Sequence, residues 1–359
     1  MNKLYTYGKI FHFPDRLEAV AEGRTVAPIH IRLKPTNRCN HDCSYCCYRN
    51  RNLYLSELLN ERDQIPKAKM LELIADFASM GVKAVTFSGG GEPLCYPHIY
   101  ETMQGLLATK IKIATLTNGS LLSGDIAELL ALNAVWCRVS IDAADAATYA
   151  AIRGVKITEF DRVCDNLRNF SAIPGRTCVL GMNFIVTKEN CQGIYQFLAL
   201  ARELGVDNVK LSGAVVSTLP QENAAYHAAI FPVAKGQIDR AIKDLSTEGF
   251  AIIDKLYRPE AESTIYDKDF DWCPMINFMT IVAADQQVYL CHDKAYTRNG
   301  CLGSLIDTDF RTLWFSPAAQ AKRKNLDPSQ ECRHHCADIL KIQMLLDYYG
   351  SDPEHLEFV

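Results

Sequence analysis

Six short runs rich in β-branched and apolar residues recur through the first two thirds of the chain: PIHIRLK (28–34), AVTFSGG (84–90), KIATLTNG (112–119), WCRVSIDA (136–143), VLGMNFIVT (179–187) and NVKLSG (208–213). Between them lie segments such as KAKMLELIADFASMG, DIAELLALN and GIYQFLALARELGV, whose apolar residues fall at helical spacing. That rhythm predicts βα units on a parallel sheet. Six units fit either an open doubly wound sheet or part of a (β/α) barrel, and both put ligand chemistry at the carboxyl ends of the strands. After Gly213 the rhythm weakens into a connector and one long helix. From Cys273 the pattern changes again: a hairpin-like FMTIVAADQQVYLCHD, then GSLIDTDFRTLWFS, then a helix after Cys336. A boundary near residue 265 is expected, dividing 1–265 from a smaller unit, 266–359.

Composition narrows the class. A chain of 359 residues that is 48% hydrophobic and 22% charged can bury a large core. Its net charge of −4 comes without a basic run, so nucleic acid and anionic lipid are not expected as partners. The N-terminus has no signal core and no window is apolar enough to span a membrane, which points to the cytoplasm. Fourteen cysteines kept reduced there read as metal ligands or catalytic thiols before they read as disulfides.

Four of those thiols crowd KPTNRCNHDCSYCCYRN, directly after the first predicted strand. Cys39, Cys43 and Cys46 form C-x3-C-x2-C, and three thiolates on one loop can hold three irons of a 4Fe–4S cube, leaving the fourth iron free for a substrate or cofactor. Cys47 adjoins Cys46 and is left out of the ligand set. A zinc site is the competing reading, although zinc usually takes a second, distant pair.

The spacing, with Tyr45 before the last cysteine, resembles the signature of the radical S-adenosylmethionine (SAM) enzymes. The resemblance implies a (β/α)6 partial TIM barrel, a SAM-binding 4Fe–4S cluster, and reductive cleavage of SAM to a 5′-deoxyadenosyl radical that takes hydrogen from substrate. An electron donor such as flavodoxin or ferredoxin is implied as partner. TFSGGGEPL resembles the family's GGE motif, which implies contact of Gly90, Gly91 and Glu92 with the SAM amino group. Tyr45, Asn118, Ser140, Asp142 and Arg153 are carried over as further cofactor contacts, with Asp142 or Asp145 as a plain helix cap the alternative.

Near the C-terminus, Cys273, Cys291, Cys332 and Cys336, with GSLIDTDFRTLWFSP between them, resemble the SPASM domain in its shortened, twitch form. That implies one auxiliary 4Fe–4S cluster, with all-thiolate zinc as the alternative. The hairpin ADQQVYLC lacks the family's usual turn glycine. Cys95, Cys191 and Cys301, near predicted loops, are the thiols that could return a hydrogen atom; nothing singles one out. If the second cluster takes an electron the outcome is oxidation, and if a thiol returns hydrogen it is epimerisation. Only 27 residues precede the first predicted strand, too few for a folded leader-binding domain, so a small molecule (a sugar, aminocyclitol or nucleotide-linked metabolite) is expected as substrate. A peptide substrate stays open, as do a non-catalytic zinc or iron–sulfur module and a methyltransferase.

Overall fold

All six expected runs are strands in the computed structural model, which describes residues 6–50, 53, 56–256, 266–332 and 334–357. They are β1 (His30–Leu33), β2 (Ala84–Phe87), β3 (Lys112–Thr117), β4 (Trp136–Ser140), β5 (Val179–Val186) and β6 (Asn208–Gly213). Each pairs in parallel with the next in sequence. A seventh parallel strand, β7 (Ala251–Lys255), follows β6. It escaped the sequence reading because it is a short edge strand with only one of its five residues buried, so its pattern carries little signal.

Ahead of the sheet lies α1 (Pro14–Ala21). Helices α2 (Lys67–Met80), α3 (Ile99–Ala108), α4 (Gly124–Asn133), α5 (Ala146–Arg153), α6 (Thr158–Ser171), α7 (Ile194–Glu203), α8 (Pro220–Ala228) and α9 (Phe231–Leu245) fill the crossovers. The single long helix expected after Gly213 is two, because Pro232 opens α9 at a position where its missing N–H costs nothing.

One face of the strands builds the core. Ile31, Leu33, Val85, Ile113, Cys137, Val139, Leu180, Met182, Phe184, Val209 and Leu211 are fully buried there. They join Leu73 and Phe77 of α2, Met103 of α3, Leu130 of α4, Leu167 of α6 and Phe197 of α7 in one cluster. Each such side chain contributes about 1.5–3 kcal/mol of burial, so this face fixes the register of the whole sheet. The other face lines the inside of an incomplete barrel.

The expected boundary near residue 265 lies outside the described residues. Beyond it, β8 (Met279–Val282) pairs in parallel with β1, and β9 (Gln287–Tyr289) and β10 (Cys301–Ser304) follow as antiparallel strands. The result is a ten-stranded sheet in the order β10-β9-β8-β1-β2-β3-β4-β5-β6-β7. The C-terminal segment therefore extends the sheet of the barrel. The β8–β9 turn closes without glycine: Gln286 takes a φ of 59° and its N–H donates to the Ala283 carbonyl at 2.9 Å. Trp314 of the LWF stretch is fully buried and donates to the Val26 carbonyl at 2.8 Å, tying that segment to the N-terminal region.

Candidate functional site

The loop after β1 carries Cys39, Cys43 and Cys46, all half-buried. It is clamped from both sides. The N–H groups of Asp42 and Ser44 donate to the carbonyls of Arg153 and Ile152 at 2.9 Å, at the end of α5. On the other side the N–H of Gly91 donates to the Thr36 carbonyl and that of Glu92 to the Arg38 carbonyl. The glycines serve this packing: a Cβ on Gly91 would stand 2.1 Å from the Arg38 oxygen, and one on Gly90 2.1 Å from Asn37 Oδ1.

Under the loop runs a buried polar network at the carboxyl ends of β2 to β5. Glu92 accepts from Thr117 Oγ1 and Asn118 N at 2.7 Å and from Leu94 N at 3.1 Å. Asn118 Nδ2 in turn donates to Asn40 Oδ1 in the cysteine loop at 2.7 Å. Asp142, fully buried with φ 65°, pairs with Arg153 at 3.2 Å, accepts from Ile185 N at 2.6 Å, and accepts from the Tyr45 hydroxyl. Arg153 also donates to the Ser140 carbonyl, to Tyr45 Oη at 2.9 Å and to Cys43 Sγ at 3.2 Å. Burial pushes the Asp142 and Glu92 carboxyls up, against the pull of Arg153 on the first and of Thr117 and Asn118 on the second. The helix cap is Asp145, which accepts from Thr148 N at 2.8 Å, so Asp142 is free for the network.

All eight residues carried over as cofactor contacts thus gather around the cysteine loop, and the carboxylates of Glu92 and Asp142 are engaged by protein donors. Other groups there keep unmet polar capacity. Ser88 Oγ at the end of β2, Thr187 Oγ1 at the end of β5, Arg153 Nε and both ring nitrogens of the buried His41 have no hydrogen-bond partner among the described residues. Ser88, Thr187 and His41 went unnoticed in the sequence, where lone Ser, Thr and His carry no signal. Orphaned buried polar atoms at the strand ends, beside three soft thiols, suit a polar cofactor together with a thiolate-held cluster.

Cys273, Cys291, Cys332 and Cys336, distant in sequence, line a single cavity with Met275, Ile276 and Met279 among its apolar walls. Burial pushes the Cys273 thiol up to about 12 and raises the other three, with Asp293 adding to it at Cys291, Cys332 and Cys336. Metal binding here must displace protons. Four thiols around one cavity match the ligand number of a 4Fe–4S cluster and of an all-thiolate zinc ion alike.

Of the three candidate hydrogen donors, Cys191 is buried with its thiol toward the Lys188 carbonyl at 3.6 Å, and Cys301 faces Gln287 Oε1 at 3.3 Å. Cys95 lies against the cysteine loop, where its sulfur takes the Asn40 N–H.

Residues 33–201 match the model of the radical SAM superfamily. A probable GTP 3′,8-cyclase of Saccharolobus islandicus (strain M.14.25 / Kamchatka #1) is 27% identical over 190 residues, 53% of this chain and 57% of that protein. The corresponding protein of Sulfolobus acidocaldarius is 25% identical over 191 residues, 53% of this chain and 56% of its own length. The match thus spans little more than half of these relatives. Among solved structures, Streptococcus suis SuiB bound to S-adenosylmethionine aligns with a TM-score of 0.64 at 16% identity, covering 94% of this chain and 78% of that one. Native anSMEcpe with bound AdoMet aligns at 0.58 and 14% identity, covering 90% of this chain and 97% of that one. Among the described residues no helix is long and apolar enough to cross a membrane. Motif, barrel and family model agree over residues 33–201, a little under half of the chain, and that stretch is a radical SAM domain, of a family that uses a 4Fe–4S cluster and S-adenosylmethionine.

Proposed function

We propose that the chain cleaves SAM reductively at a cluster held by Cys39, Cys43 and Cys46, and takes hydrogen from a small molecule in the barrel. The observation that carries the reading is the gathering of the three thiols, Arg153 and the orphaned polar atoms at one end of the sheet. Bound there, a reduced 4Fe–4S cluster supplies the electron that breaks a carbon–sulfur bond of SAM. The protein's own work is to hold the loop rigid through Arg153 and Asp142, to present Ser88, Thr187 and the backbone of Gly90 to Glu92 to the cofactor, and to keep water from the radical.

A second cluster on Cys273, Cys291, Cys332 and Cys336, in the manner of a SPASM-type domain, would have every iron occupied by thiolate and so suits electron transfer. Oxidation is then the outcome, with flavodoxin or ferredoxin as the reductant of the first cluster. Epimerisation would run through Cys95, the one candidate thiol beside the loop, and solvent deuterium in the product would reveal it. The name of the curated relatives offers a second reading, ring closure on a purine nucleotide, supported by the shared 190-residue stretch.

Anaerobic reconstitution tests the core of this. The expected result is ~8 irons per chain and 5′-deoxyadenosine from SAM under dithionite. Cys273→Ala should lose about half the iron and keep the SAM-induced change in the electron paramagnetic resonance of the first cluster. A zinc-loaded protein that leaves SAM intact would defeat the reading.

A further inference from the structure

The three thiols of the loop after β1 do not share one environment. The Cys39 sulfur takes the His41 N–H, and the Cys46 sulfur takes the N–H groups of Tyr48 and Arg49. Those donors are neutral backbone within the loop itself. Cys43 instead receives a charged donor from another element: Nη1 of Arg153, the last residue of α5, lies 3.2 Å from its sulfur.

Backbone contacts build that meeting. Asp42 and Ser44, on either side of Cys43, give their N–H groups to the last two carbonyls of α5, those of Arg153 and Ile152. Gly154 then turns the chain with a φ of 61°, and a Cβ there would stand 2.4 Å from the Asp42 oxygen. Glycine after Arg153 thus lets the end of the helix press against the loop at Cys43.

The guanidinium has little freedom once there. Its Cζ lies 5.9 Å from the ring centroids of both Tyr45 and Tyr149. Nη1 serves Cys43 and the Tyr45 oxygen, and Nη2 serves the Ser140 carbonyl and Asp142. Of the five N–H donors of an arginine, the four on these two nitrogens are spent on protein. Nε alone is without a partner among the described residues, and a single N–H cannot make the forked contact that arginine offers a carboxylate. The resemblance gives Arg153 to the SAM carboxylate; its contacts point to Cys43.

Arginine keeps its charge in a protein. A charged donor on a thiolate ligand draws electron density from the iron, and hydrogen bonds to sulfur together with local charge set the potential of an iron–sulfur cluster. Asp142, paired with the same guanidinium, opposes part of that charge. We propose that Arg153 is a positioning residue that acts on the first cluster through Cys43, making it easier to reduce, and that it is not a ligand of SAM. The proposal rests on the radical reading for the presence of that cluster.

The test is an anaerobic redox titration of the reconstituted chain, followed by electron paramagnetic resonance in the signal that SAM perturbs in the wild type. Arg153→Met combined with Asp142→Asn removes the charged donor without leaving a buried ion unpaired, so the fold should hold. It should lower the ratio of reduced to oxidised cluster about tenfold at a fixed potential, a downward shift of about 59 mV for one electron. Asp142→Asn alone leaves the guanidinium unopposed and should shift the ratio the other way. Calorimetric titration of the oxidised protein with SAM should give wild-type affinity in both. Arg176→Met with Asp207→Asn, which removes an ion pair beside the amino end of β5, should leave the potential unchanged. Potentials that do not move in the two Asp142 variants, that move in the same direction, or that move equally in the Arg176 control overturn the proposal. Loss of SAM binding at wild-type potential overturns it too and returns Arg153 to the SAM carboxylate. SAM cleavage with unshifted potentials sinks the role of Arg153 alone; the expected shifts in a protein that never yields 5′-deoxyadenosine sink the radical reading alone.

Discussion

The two cysteine sites are built in opposite ways. The first is local: three thiols on one loop, braced by a buried ion pair and by hydrogen bonds from the ends of β2, β3 and β4 and from α5. The second is assembled from separate segments, the turn at Cys273, the end of the β9 hairpin and the stretch from Cys332 to Cys336, around an apolar cavity. A polar brace holds its geometry whether or not a ligand is bound, whereas an apolar cavity ringed by protonated thiols gains most of its order from what fills it. The first site should therefore stand preformed, and the second should depend on its metal.

The largest effect should come from the first loop. Cys43→Ala is expected to lower 5′-deoxyadenosine formation at least ~100-fold, beyond the 10–100-fold typical of groups one step removed from a metal, with loss of about half the iron. Next is the brace. Side chains of Asp142 and Arg153 are 0% and 5% exposed, so Arg153→Met leaves a buried carboxylate unpaired and should cost about 3–5 kcal/mol in urea denaturation. Restoring stability by adding Asp142→Asn would show that the pair, not the arginine alone, carries the cost. Removing metal should separate the two sites: chelation followed by limited proteolysis is expected to open 266–357 while the barrel up to β7 survives. Equal resistance of both segments would break the contrast.

The same contrast explains what the sequence disclosed. The first loop was legible because its ligands are contiguous and follow a strand, and the six apolar strands were legible because their outer faces are uniformly buried. The convergence of the four C-terminal cysteines on one cavity could be named only through resemblance, since their spacing carries no geometry. Glu92 was read as a cofactor contact on motif grounds. That it accepts from Thr117, Asn118 and Leu94 depends on β2 and β3 lying side by side, and no local pattern states this.

A junction missed in the sequence links the two sites. Lys34 is fully buried, its Nζ 4.2 Å from the Tyr48 ring centroid and 5.2 Å from that of Tyr296, and the Tyr296 hydroxyl donates to Asn37 at the start of the cysteine loop. Burial is the main force lowering the Lys34 ammonium to about 7, with Arg32 adding to it and Cys47 opposing. Since the unfolded chain keeps its proton up to about 10.4, the unfolded state binds more protons across that window and stability rises with pH from about 7 upward. Lys34→Met should flatten this rise, measured as urea midpoints between pH 7 and 9.5. A slope unchanged in the variant would assign the effect to another group.

The smallest expected effect bears on the assembled site alone. Gln286 holds a φ of 59° in the β8–β9 turn, a conformation that costs a side-chain-bearing residue about 1–2 kcal/mol. Glycine relieves that strain and returns roughly 0.5–1 kcal/mol through the entropy of the unfolded chain, so Gln286→Gly should stabilise by about 0.5 kcal/mol net. The hairpin delivers Cys291 to the cavity, and the gain should show most clearly as slower proteolysis of 266–357 after chelation, when no metal holds that segment. A loss of stability would mean that the Gln286 side chain supports the turn, and that this part of the second site is braced as locally as the first.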